Sequence, residues 1–399
     1  MAARLLMFVV ACLTVRFVPS RICRRDATKY YAGDERKVEM LLHGTGKQVE
    51  RMAQSMQFRT GSKRFDGEWA MGTNLMTAIG AAQTAMQHPG SRDDALVILR
   101  LAMDRLADPN TRAYDGEAWN QDALRSLGED ERDHGAFLMY YAFALGMDRL
   151  ADPEHADAQL FDQVIETLLR RAKKRPVLLL DSYPGETYPV DNAVFIGALG
   201  LHAKATGASH EPFFEKWEAL ARSQWIEQRT GLLYQAVDGV NGAKRDVARG
   251  SGTAAAAYYL SFARPNLSRD LWNALRTNLY REVLGFGLVR EFVGGGKGDV
   301  DSGPVIFGLG VSATGFALGA ARAHGDEHVF SSLYASAHLV GLPVDGTGSR
   351  NFVSGGPIGD AILFAMLTAP KIDASQVGAP AGAGAPVPAP ATREGKQRP

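Results

Sequence analysis

Asp191 and Asp301 are the carboxylates on which a reaction would turn. Each stands at the head of an apolar stretch rich in small residues, Ala193–Ala205 for the first and Val305–Ala323 for the second. Cleavage of a glycosidic bond needs a protonated acid and an ionised carboxylate on opposite sides of the bond. One of the two must sit in an apolar or like-charged surround to keep its proton near neutral pH. Asp301 heads the most apolar run and is the expected acid, with Asp191 as its expected partner. His134 follows Asp133 at the start of another apolar run and suits a general base oriented by a neighbouring acid. Tyr188, Tyr183 and Trp119 could lie against sugar faces. Arg249 and Arg290 could pair with an acidic group of a substrate, and Glu291 and Asn192 belong to the same loops. Each of these residues also has an ordinary role, because Asp, Asn and Ser at helix starts cap free N–H groups for about 1 kcal/mol.

Other chemistries are excluded or unsupported. The only cysteines are Cys12 and Cys23, so the body of the chain has no cysteine nucleophile, disulfide framework or cysteine metal site. No HExxH and no pair of histidines on one helical face occurs, so no metal is expected. Gly294–Lys297 lacks the Gly-Lys-Ser/Thr of a phosphate loop, and no cofactor is expected. The 44 basic and 44 acidic residues cancel, which argues against nucleic acid as a partner.

The elements that must position these residues alternate in character. Apolar, small-residue stretches begin near Trp69, Gly135, Ala193, Thr253, Val305 and Ala361, spaced 52 to 66 residues apart. Amphipathic stretches lie between them, at Asp34–Ser55, Asp93–Leu106, Ala156–Lys174, Pro212–Glu227, Arg269–Val283 and Glu327–Val340. A repeat of this length signals stacked supersecondary units, here hairpins of one buried and one half-exposed helix. Val305–Ala323 lacks a polar face, so the sequence predicts one helix buried all round, capped by Asp301 or Ser302 with Pro304 in its first turn. Leu232–Gln235 and Leu288–Glu291 read as small β-ribbons on one rim. Six inner helices running the same way would bring the polar segments before them to one mouth.

This alternation, with GLLY-type strand pieces and polar loops ahead of the inner helices, resembles the six-hairpin (α/α)6 toroid superfamily over roughly residues 30–370. The resemblance implies an all-α ring, and many members of that superfamily are glycoside hydrolases or polysaccharide lyases. The linalool dehydratase/isomerase type is similar in outline, but its catalytic cysteines have no counterpart here.

Residues 1–20 carry Arg4 and the apolar run Leu5–Val15, which is too short to span a bilayer and suits a signal peptide or short anchor. The ring is expected over 27–370, and 371–399, rich in Pro, Ala and Gly, should be disordered. The expected function is an exported, carbohydrate-active hydrolase or lyase, periplasmic, secreted or attached to the envelope through its N-terminus, acting on a glycan or small molecule. Two alternatives compete with it: a cysteine-independent dehydratase or isomerase for an isoprenoid-like substrate, and a non-catalytic binding protein of the envelope.

Overall fold

The computed structural model describes residues 18–55, 58–296, 305–306, 308–373 and 375, together with Arg4 and Met7. A short helix α1 (Ala27–Ala32) leads into the amphipathic α2 (Glu35–Ser55) and the apolar α3 (Lys63–Gln87), which is buried at every position from Thr73 to Ala85. Next come α4 (Arg92–Ala107), the short α5 (Ala113–Trp119), α6 (Gly135–Ala151), α7 (Ala158–Lys174), α8 (Pro189–Thr206) and α9 (Glu211–Leu220). The chain continues with α10 (Gly250–Leu260), α11 (Pro265–Asn278), α12 (Val311–Ala323), α13 (Glu327–Gly341) and α14 (Gly356–Leu367).

The six small-residue helices α3, α6, α8, α10, α12 and α14 each pack on the next, and α14 packs back on α3 to close a ring. The amphipathic helices lie outside them: α4 on α3, α7 on α6 and α8, α11 on α10, α13 on α12, and α2 on α14 and α3. Phe195 and Phe213 join α8 to α9 with their rings 6.0 Å apart. The protein is thus an all-α (α/α)6 toroid with small antiparallel ribbons.

The inner helices run the same way, because late turns meet late turns. Gln83 near the end of α3 donates to the Ala365 carbonyl near the end of α14 at 2.9 Å. A side chain at Gly197 of α8 would come within 2.7 Å of the Tyr259 carbonyl of α10. One at Gly319 of α12 would strike Met366 of α14 and Tyr258 of α10. Glycine costs each helix about 1 kcal/mol relative to alanine, and the backbone approach it permits offsets that cost with buried contact. Arg322, almost fully buried, ties the end of α12 to the carbonyls of Tyr30 and Ala369. Among the described residues no helix is long and apolar enough to cross a membrane.

Three boundaries differ from those predicted. The helix expected over Val305–Ala323 begins at Val311, because β3 (Val305–Ile306) and β4 (Leu309–Gly310) pair about a left-handed Gly308. Gly310 is its N-cap, and the proposed caps Asp301 and Ser302, with Pro304, lie outside the described residues. It is also not buried all round: Ser312, Gly315 and Phe316 are partly exposed. The helix expected over Arg269–Val283 stops at Asn278, and Tyr280–Val283 becomes β1, paired with β2 (Phe286–Val289). The stretch expected as helix over Pro212–Glu227 ends α9 at Leu220 and winds on as a π turn to Trp225. Leu232–Gln235 makes only single bridges, Leu233 with Ile226 and Tyr234 with Ala248. A third ribbon, β5 (Pro343–Gly346) with β6 (Ser349–Phe352), precedes α14.

Candidate active site

The mouth is built first by capping. The first N–H groups of α6 have no partner within the helix, and Gly135 and Ala136 donate to the carbonyls of Asp181 and Ser182 at 3.1 Å each. Asn192, fully buried in α8, grips the same strand from the other side. Its oxygen accepts from Leu180 N at 2.9 Å, and its amide donates to the Leu180 and Tyr188 carbonyls at 3.0 and 3.1 Å. In this structure its side chain holds the backbone. Asp133 is likewise structural, since its carboxylate takes Arg175 at 2.6 Å and Asp181 N at 2.9 Å. Burial still holds its carboxyl above the usual range, against those bonds.

With that strand fixed, Asp191 in the first turn of α8 receives two hydroxyls. Tyr140 of α6 donates to Oδ1 at 2.6 Å and Ser182 to Oδ2 at 2.5 Å. Both carboxylate oxygens thus accept an O–H. Tyr140 stays a neutral donor, because burial and then the Asp191 charge push its ionisation well above the ordinary value. A second pair repeats the design, with the Tyr183 hydroxyl donating to Glu68 of α3. Arg64 lies over the Tyr183 ring, 4.3 Å from its centroid, and reaches Glu186 at 3.5 Å. Tyr188 donates to the same Glu186 at 2.9 Å. Tyr114 sits among these groups, close enough to Asp115, Glu68 and Asp191 for their charges to add to burial in raising its ionisation.

His134 stands beside this cluster with a left-handed backbone, φ 52°. Its Nδ1 lies 2.6 Å from Asp115 Oδ2, and both side chains are fully buried. Trp119 packs over the imidazole, ring centres 5.3 Å apart. Burial raises the Asp115 carboxyl while the His134 contact pulls it down. Among the described residues His134 Nε2, Asp115 Oδ1 and Trp119 Nε1 are buried without a hydrogen-bond partner. The pair has the geometry of an oriented imidazole, but it lies beneath the surface of the mouth.

The remaining expected residues lie on the far arc of the rim. Glu291, fully buried, is a cap: its carboxylate takes Ser251 Oγ at 2.6 Å and Ser251 N at 3.2 Å, at the start of α10. Arg249 pairs with Asp246 at 2.6 Å and lies over Phe292. Arg290 bridges to Leu309 through its backbone. Asp301 lies outside the described residues; Glu291 N donates to the Gly308 carbonyl at 3.2 Å.

The funnel is the space bounded by the early turns of the inner helices, where the partly exposed residues include Glu68 and Gly72 on α3, Ser312, Gly315 and Phe316 on α12, and Ile358, Gly359 and Ile362 on α14. Tyr140 is the partly exposed member on α6. Deeper in, the Tyr258 hydroxyl donates to Gln83 across the ring at 3.0 Å and closes the floor.

Glu68, Tyr114 and Asp115, which the sequence places ahead of inner helices, complete the cluster together with Tyr140 and Ser182, which it does not single out. Their sequence signal is weak, since Tyr140 lies inside a helix that reads as core. Glu39, His43 and Asp94, on α2 and α4, bring potential metal-ligand atoms within 4.8 Å of one another. That grouping spans two helices and is invisible to a search for spaced histidines.

No family model and no curated protein matches the sequence. Solved structures do match. The GH76A α-1,6-mannanase from Salegentibacter sp. HEL1_6 aligns over 83% of this chain and 98% of its own, with a TM-score of 0.53 at 10% identity. An inactive variant of that enzyme, two successive aspartates replaced by asparagine, in complex with α-1,6-mannotriose, aligns over 83% and 99% with a TM-score of 0.52 at 10% identity. The unsaturated glucuronyl hydrolase from Bacillus sp. GL1 aligns over 85% and 95%, with a TM-score of 0.48 at 12% identity. The two likenesses to the mannanase show that the chain shares its fold.

Proposed function

We propose that this protein is an acid/base hydrolase or lyase that acts on a glycan held in the funnel, with Asp191 as its ionised carboxylate. One observation carries the reading: Asp191 stands in the mouth with two hydroxyl donors, beside a second carboxylate, Glu68, also held by a tyrosine. The neighbouring mannanase fold and its mannotriose complex support a sugar in this position. Replacement of two successive aspartates accompanies the loss of activity in that variant; the adjacent aspartates of this sequence, Asp93 and Asp94, begin the outer helix α4 instead.

Asp301, which lies outside the described residues, is the proposed proton donor because it precedes the apolar run that leads into α12. In hydrolysis the acid protonates the leaving oxygen while Asp191 activates water or attacks the sugar carbon. In elimination the same two positions take a ring proton and give one to the leaving oxygen. A blind funnel admits a chain end, so the reaction is expected to release terminal units. Incubating the full chain with neutral and acidic oligosaccharides and reading products by mass spectrometry tests this: hydrolysis adds the mass of water, elimination does not. Loss of activity in Asp301→Asn assigns the acid, whereas loss in Glu68→Gln with an active Asp301→Asn moves that role to Glu68. No cleavage of any glycan would remove the reading.

The apolar arc of the funnel around Phe316 and Ile362 favours a second reading, dehydration or isomerisation of an isoprenoid-like alcohol by the same groups. The site is proposed to work outside the cytoplasm, on the strength of the apolar run Leu5–Val15; retention of the full chain in the cytoplasm on cell fractionation would contradict that part.

A further inference from the structure

The funnel wall is divided. From α3 round to α8 it carries Glu68 and Tyr140, with Asp191 and Tyr183 almost buried behind them and hydrogen-bonded to them. From α12 to α14 it carries Gly315, Phe316, Ile358, Gly359 and Ile362. The one carboxylate of α14, Asp360, turns away from the lumen: it is fully buried and accepts from Phe352 N at 2.7 Å and from the Asn351 amide. On α12 the Thr314 hydroxyl is bonded to the Gly310 carbonyl at 2.8 Å and to Val289 N at 3.1 Å, again on the outer side. No titratable side chain of either helix faces the lumen among the described residues. The space is open there, since a side chain built at Gly359 meets nothing within 4 Å, and one at Gly315 makes only ordinary contact with Ile362 at 3.5 Å.

We infer that the funnel takes an amphiphile, a hydroxylated head at Asp191 and Glu68 joined to a hydrocarbon arm lying along α12 and α14. This deepens the proposed function and rests on the funnel being the active site. A free oligosaccharide presents hydroxyls on all sides, and those turned to Ile358 and Ile362 would lose water without gaining a partner. A sugar could stack on Phe316 alone, but the branched side chains and the open glycines of α14 offer it nothing. A hydrocarbon arm fits both conditions, because each methylene buried there leaves water at no polar cost. The substrate class is therefore an alkyl or prenyl glycoside, or the corresponding alcohol, in preference to a polysaccharide.

The test is calorimetric titration of the full chain with methyl, butyl and hexyl glucosides, and in parallel with 1-butanol and 1-hexanol, all below micelle-forming concentrations. Affinity is expected to rise at least tenfold from the methyl to the hexyl glucoside. Gly359→Leu should remove that gain while folding normally, because its side chain enters open space and leucine is the better helix former. Asp191→Asn should keep the chain-length gain while losing turnover. Affinity independent of chain length, no binding by either series, or a gain that survives in both Gly359→Leu and Phe316→Asn would each overturn the inference. If only the alcohols bind, with a gain that Gly359→Leu abolishes, the amphiphile stands and the glycan reading fails.

Discussion

Tyr140, in the second turn of α6, donates its hydroxyl to Asp191, in the first turn of α8, at 2.6 Å. Two inner helices are thereby joined at the height where the funnel opens, and the carboxylate keeps a fixed orientation. Asp191→Asn is expected to lower turnover by about 10²–10⁴-fold, the range of a general acid or base, with little change in melting temperature. Tyr140→Phe leaves one oxygen of a nearly buried carboxylate without its donor, and should cost about 1–3 kcal/mol of stability together with a smaller loss of rate. Equal activity in wild type and Asp191→Asn would remove Asp191 from the mechanism.

Asn192 should behave differently from a ligand-binding residue. Its three bonds hold the strand at Leu180 to the backbone at Tyr188. Asn192→Ala is expected to cost about 2–3 kcal/mol, since buried backbone groups lose their partners, and to lower kcat by moving Ser182 and Asp191. Chemical denaturation beside kinetics checks this; a rise in KM alone, at unchanged stability, would restore a direct substrate contact.

Arg171 is 1% exposed and stitches the loop that delivers His134. Its guanidinium donates to the carbonyls of Glu129, Asp133 and Ser126, at 3.0, 3.1 and 2.6 Å. Arg171→Ala should destabilise the protein by about 3 kcal/mol or more, because three carbonyls lose their donor at about 1–3 kcal/mol each where buried. Proteolysis of the variant is expected to begin in the loop of residues 120–133, and cleavage elsewhere would show that the loop is held by other contacts.

Asp360 gives a pH dependence of definite sign. Burial lifts its carboxyl to about 6, against the bonds from Phe352 and Asn351. The folded protein then binds more protons than the unfolded chain between the ordinary aspartate value of about 4 and about 6. The Asp360 contribution is therefore full below that window and lost as pH rises through it, by about 3 kcal/mol. His324, kept neutral by burial down to about 4, acts in the opposite sense. Subtracting the wild-type stability curve from that of Asp360→Asn isolates the carboxyl. The variant should gain on the wild type from about pH 4 to 6 and run parallel above; a flat difference would show that the group titrates normally.

The architecture was legible in the sequence because inner and outer helices differ in composition over many residues. Small-residue runs can only be buried against one another, and charged stripes can only face water, so the order of the ring followed from pattern. The absence of cysteine chemistry was equally fixed, by composition. The start of α12 was misjudged because Val305–Ala323 is apolar throughout, and hydropathy cannot tell two short strands from a helix when neither has a polar face. Tertiary structure alone decided the roles of the site residues. Asp191, Asn192 and Glu291 look alike in the chain, as polar residues near helix starts. Folding gave Asp191 two hydroxyls at the mouth and turned the other two into backbone clamps. The reason is physical: residues alike in the chain differ in what stands opposite them, and for Asp191 one such group, Tyr140, comes from a helix 51 residues away.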